Sequence, residues 1–329
     1  MKSKFLIFSL SAALAAPLGL NAGDVSVATD PVGYVTIEIP ANSDGLISVP
    51  LSQSSEFVGT INAFSSGTIS VEGDPDFTED VFYDNGHHFV VFASGDAEGL
   101  YATINGNESD EIDILFHSHD FSDLISPGDS FKVVKAHTFG SVFTDIPDGV
   151  QILLFNSDST GINKSSSTVV TNFEDFGWFS GSGEENDSAI FPGEGLILRN
   201  NTSTSLSVTF QGAVEMNSQG QVLFHENLSS RQDVRFGLRT GAPVEVGEID
   251  FNAVEGDQIL IFSNSTSGTN KSSSLILTYF DGFGWFSGSG DENDFQLEPG
   301  VSYIYRLAPN PEGNAERVIR VSPNYITQN

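Results

Sequence analysis

Residues 151–199 and 258–306 align without a gap at an offset of 107 positions, with 27 identities in 49. This duplication constrains the fold more than any other feature, because two segments so alike adopt the same local structure. Both open on an apolar run, Gln-Ile-Leu-Leu-Phe at Gln151 and Gln-Ile-Leu-Ile-Phe at Gln258. Each then carries Asn-Lys-Ser-Ser-Ser at Asn163 or Asn270, and Phe-Gly-Trp-Phe-Ser-Gly-Ser-Gly at Phe176–Gly183 or Phe283–Gly290. Glu-Asn-Asp follows at Glu185–Asp187 and Glu292–Asp294, then a Pro-Gly turn and a strand ending in Arg199 or Arg306. Solenoid repeats are only some 20–50 residues long. Two copies at this wider spacing point to tandem domains or half-sandwiches.

The rest of the chain reads as strands too. Short apolar or alternating runs such as Val32–Ile39, Phe131–Val134 and Leu206–Phe210 are separated by clusters of Gly, Asn, Asp and Ser, and no long window has helical spacing. The expected class is all-β: a small β-barrel or meander over residues 23–145, then two homologous β-sandwich-like units, 146–252 and 253–329. Gly45–Leu51 looks like the Gln-Ile-Leu-Leu-Phe strand, but the spacing to its Pro127-Gly128 is far longer than in the clear copies. Residues 1–22 read as a signal peptide: Lys2 and Lys4, an apolar run from Phe5 to Leu20, and a small residue at Ala22.

An ordered string of motifs spans nearly all of the remaining chain. It includes Thr29-Asp30-Pro31-Val32-Gly33-Tyr34-Val35, His88-Phe89-Val90, Ser94-Gly95, Glu98-Gly99-Leu100-Tyr101, Gly128-Asp129-Ser130-Phe131 and His137-Thr138-Phe139-Gly140. With the later Asn-Lys-Ser-Ser-Ser, Gly-Trp and Pro-Gly positions, it resembles a family of uncharacterised secreted β-rich proteins abundant in Verrucomicrobia. The resemblance implies export and β-structure, and it transfers no catalytic residue.

The formal charge is −31, and removal of a leader containing Lys2 and Lys4 would make it −33. Such a chain has no basic patch with which to displace counterions from phosphates, so nucleic acid is excluded as a partner. No later stretch reaches the length of a spanning helix. There is no cysteine, so the core and not disulfides must hold the fold. The expected location is outside the cell that makes it: extracellular, on the cell surface, or periplasmic.

Candidate chemistry is sparse. Trp178 and Trp285 are the only tryptophans, one per copy. Each is either an exposed platform for a sugar ring or a plug in its unit's core, a role the flanking phenylalanines favour. Asn186, Asp187, Asn293 and Asp294 complete the candidate ligand-binding set. Glu185, Asp187, Glu292 and Asp294 offer the hard oxygen ligands that calcium needs, without the spacing of a helix-loop-helix site; solvated turns select the same residues. His117 and His119, with His87-His88 nearby, could supply part of a zinc site or simply occupy turns. There is no Gly-x-Ser-x-Gly elbow, and carboxylate pairs mean little in so acidic a chain. The expectation is a non-enzymatic, structural or adhesive protein without a required cofactor, contacting extracellular polysaccharide or copies of itself. A carbohydrate-binding module using the Gly-Trp loops is the alternative, and a polysaccharide hydrolase the third reading.

Overall fold

The computed structural model describes residues 31–116, 120–323 and 325. The leader at 1–22, the start of the Thr29 motif, and His117 and His119 lie outside the described residues. The fold is all-β, with only short helical turns. None of its described helices is long and apolar enough to cross a membrane.

Each repeat builds a six-stranded antiparallel sheet. In the first the order is Gly183–Glu184, Gly177–Ser180, Thr168–Phe173, Gln151–Leu154, Leu196–Asn200 and Ser43–Ile47. In the second it is Gly290–Asp291, Gly284–Ser287, Leu275–Phe280, Gln258–Ile261, Ser302–Leu307 and Gln232–Gly237. A two-stranded ribbon covers one face of each: Val32–Ile39 with Leu206–Ala213, and Gln219–Phe224 with Glu316–Val321. Alternation decides which side chains point inward. Leu206, Val208 and Phe210 are buried against Ile152, Leu198 and Trp178, while the residues between them face solvent. Leu223, Ile319 and Val321 do the same over Ile259, Trp285 and Tyr305.

The barrel expected upstream is present and closed. Its six strands run in the order Ser55–Ser65, Thr68–Val71, Glu111–Leu115, Tyr101–Asn107, His88–Phe92 and Ser130–Lys135. Ile61, Ile69, Phe92, Leu100, Ile112 and Phe131 fill its interior, so it is a packed core and not a channel.

Strand pairing redraws the repeat. Residues 23–145 do not pair as one unit, because Val32–Ile39 and Ser43–Ile47 belong to the first copy's layers. Gly45-Leu46-Ile47 is that copy's outer strand, the counterpart of Val234-Arg235-Phe236, and not a further Gln-Ile-Leu-Leu-Phe strand. Likewise, Gln219–Phe224 and Gln232–Gly237 join the second copy although they precede residue 253. The barrel is thus an insertion into the first copy, between Ile47 and the short strand His137–Thr138. In the second copy the equivalent strand, Val244–Glu245, follows Gly237 directly after a short link. Insertion at a surface turn leaves both host sheets intact.

The Asn-Lys-Ser-Ser-Ser turns hold the copies together. Asp233 accepts from Arg306 Nε at 2.7 Å and Nη2 at 3.0 Å, and from the Asn163 backbone N–H of the other copy at 2.7 Å. Asp44 accepts from Arg199 Nε at 2.7 Å and Nη2 at 3.0 Å, and from the Asn270 N–H at 2.7 Å. Arg199 and Arg306 also donate across to Asn270 Oδ1 and Asn163 Oδ1. Each copy gives the other the same contacts it receives, as in an isologous dimer. Lys164 and Lys271 stay within their own turns, donating to carbonyls that include Ser157 and Ser263, and desolvation holds both below the usual lysine range.

Candidate functional site

Trp178 and Trp285 are 1% and 3% exposed. Neither indole can stack on a ligand, so the surface-platform reading is corrected to a core one. Phe139 and Phe143 pack on Trp178; Phe251, Tyr279 and Tyr305 pack on Trp285. The Trp178 Nε1–H points to the Phe143 carbonyl at 3.4 Å.

The residues that both copies share around each tryptophan build a turn. Asn186 Oδ1 accepts from the Trp178 N–H at 2.8 Å, and its Nδ2 donates to the Phe176 carbonyl at 3.2 Å. Asn293 repeats this at Trp285 and Phe283, at 2.9 and 3.2 Å. Glycine precedes each tryptophan because the backbone there has φ of +82° at Gly177 and +91° at Gly284. A Cβ at either would lie 2.2 Å from the asparagine Oδ1. Glu185 accepts from the hydroxyls of Ser180 and Ser188, which hold its carboxyl below the usual range. Glu292 accepts from Ser287 at 2.5 Å. Asp187 and Asp294 are exposed. Among the described residues, no three His, Asp or Glu side chains converge as a metal site. Of the residues considered for calcium, Glu185 and Glu292 are thus engaged in shaping the turn. His88 is buried, contacting the Gly86 carbonyl and Glu56, while His87 is exposed.

What these turns present is phenylalanine. Phe176 and Phe283, one residue before each Gly-Trp, are 71% and 74% exposed. Phe173 and Phe280 beside them are 47% and 42% exposed. Each of the latter packs edge-on against Phe179 or Phe286, with ring centroids 6.2 and 5.9 Å apart. The sequence signal was present: Phe-x-x-Phe-Gly-Trp-Phe occurs in both copies. Which aromatic faced outward depended on the positive-φ glycine, which breaks alternation at that point. Each cluster sits near the sheet edge opposite Ser43–Ile47 or Gln232–Gly237, away from the reciprocal clamps.

No protein-family model, curated protein or solved structure matches the chain.

Proposed function

We propose that the chain is a non-enzymatic, exported adhesive or structural protein whose two phenylalanine-tipped turns make paired contacts with an uncharged extracellular polysaccharide. The observation that supports this most is the matched exposure of Phe176 and Phe283, at 71% and 74%. Leaving a large aromatic so exposed twice, at equivalent sites, has a cost in solubility that a contact function accounts for. Ring faces suit sugar rings, and the small polar stretches Ser180–Gly183 and Ser287–Gly290 provide a hydrogen-bonding rim. A charge of −31 repels polyanions. Two sites on one body multiply a modest single-site affinity.

The test is retention of the protein on insoluble neutral polysaccharides, with release of reducing ends and self-association by light scattering measured alongside. Phe176→Ala or Phe283→Ala should weaken retention sharply, and the double variant should abolish it. Retention unchanged in the double variant would refute the reading. New reducing ends would favour a hydrolase, and self-association lost with the phenylalanines would favour a partner of the chain's own kind.

A further inference from the structure

Besides the barrel insertion, the copies differ in side-chain chemistry where the outer strand of one meets the turn of the other. By the alignment of the repeats and of the strands Ser43–Ile47 and Gln232–Gly237, residues Ser157, Glu194 and Arg235 correspond to Asn264, Val301 and Leu46. On the neutral side the gap is bridged. Asn264 Oδ1 accepts from Leu46 N at 2.8 Å, its Nδ2 donates to Leu46 O at 2.8 Å, and Val301 bridges to Ile47. On the charged side serine is too short to do the same. A cavity of about 260 Å³ opens there, lined by Ser157, Glu194 and Arg235 and walled by Tyr101 and Phe121 from the inserted barrel segment. The groove on the opposite side, lined by Val301 and Asn264, is about 420 Å³ but more open to solvent, and no barrel residue lines it.

Neither charged group in the cavity is in an ion pair among the described residues, and Asp233 acts on Arg235 only through its field. Glu194 accepts one hydrogen bond, from the Phe191 N–H at 3.1 Å, and among the described residues it forms no ion pair. Burial pushes its carboxyl up to about 7. Arg235 stacks over Phe155 at 3.5 Å, and its buried Nη1 has no hydrogen-bond partner. Burying ionisable groups without a hydrogen-bonded ion-pair partner is costly. The fold does not require it, since Val301 and Leu46 occupy the same positions in the sister arrangement.

We propose that this cavity binds a small zwitterion of the α-amino-acid type. Its ammonium pairs with Glu194, its carboxylate with Arg235 Nη1, and its apolar part lies against Tyr101 and Phe121. A zwitterion satisfies both groups and, being neutral overall, meets no net repulsion from the acidic chain. An organic anion would leave Glu194 unmatched. The charged or titratable groups facing Glu194 are Tyr101, with Arg239 behind it, and Arg235 and Asp158 in the cavity wall.

Calorimetric titration of the intact protein with L-leucine, L-phenylalanine, D-galacturonate and glucose tests this. One amino acid should bind at a single site, the sugar and the uronate should not, and binding near pH 6 should release protons because the ammonium favours ionised Glu194. Glu194→Val and Arg235→Leu copy the sister positions and so should fold, as checked by circular dichroism. Each should weaken binding about tenfold or more, the worth of a charge-assisted hydrogen bond. Absence of amino-acid binding, equal binding of galacturonate, or binding unchanged in both folded variants would overturn the proposal. The polysaccharide assay on the phenylalanine turns is independent of these outcomes.

Discussion

Replacing Asp233 by alanine should release one end of the clamp between the copies. Three donors converge on this carboxylate: Arg306 through two nitrogens at 2.7 and 3.0 Å, and the Asn163 N–H at 2.7 Å. Asp233 is 5% exposed and the Arg306 side chain 13%. Breaking a buried pair from one side typically costs about 3–5 kcal/mol, because the surviving charge is left without a partner. The slight exposure of Arg306 gives its guanidinium some access to water, so the lower end, about 3 kcal/mol, is expected. That is a large share of the roughly 5–15 kcal/mol by which domains are stable. The assay is urea unfolding followed by tryptophan fluorescence. Trp178→Phe leaves Trp285 to report on the second copy, and Trp285→Phe leaves Trp178 to report on the first. Asp44→Ala, which removes the mirror-related clamp, should cost a similar amount. The two losses should add, since Asp44 and Asp233 share no partner. A loss below about 1 kcal/mol in both single variants would refute the argument that these ion pairs are buried, coupled and hold the copies together.

Gly177→Ala and Gly284→Ala should each destabilise by roughly 1–3 kcal/mol, from positive φ and the clash with Asn186 or Asn293, whereas Gly181→Ala, with open space around it, should be near neutral in the same urea assay. Glu194 has its folded pKa raised from 4.5 to about 7, so the stability tied to its protonated form is fully present below pH 4.5 and is lost as pH rises to 7 and above. Thermal melting across that window should show a decline that is smaller in Glu194→Gln; parallel pH profiles for the two proteins would contradict the burial argument.

Much of this molecule was legible in its sequence, for reasons tied to local periodicity. Alternation in Leu206–Phe210 and in Val32–Ile39 marks strands with one buried face, and punctuating glycines and asparagines mark their turns. The gapless repeat required two equivalent sheets, and the separate character of the upstream block required another β unit, which is a closed barrel. The composition likewise excluded disulfides and a basic surface. Tertiary structure alone decided the rest. Ser43–Ile47 completes a sheet whose other strands begin beyond residue 150, because edge pairing joins segments by hydrogen-bond geometry and not by proximity in the chain. Whether Trp178 or Phe176 faced solvent turned on one glycine whose φ interrupts the strand's alternation. Asp44, Asp233, Glu194 and Arg235 carry no motif, and their environments arise only where separate elements meet. A charge becomes chemically distinctive through what surrounds it, and in this protein those surroundings come from three parts of the chain brought together by folding.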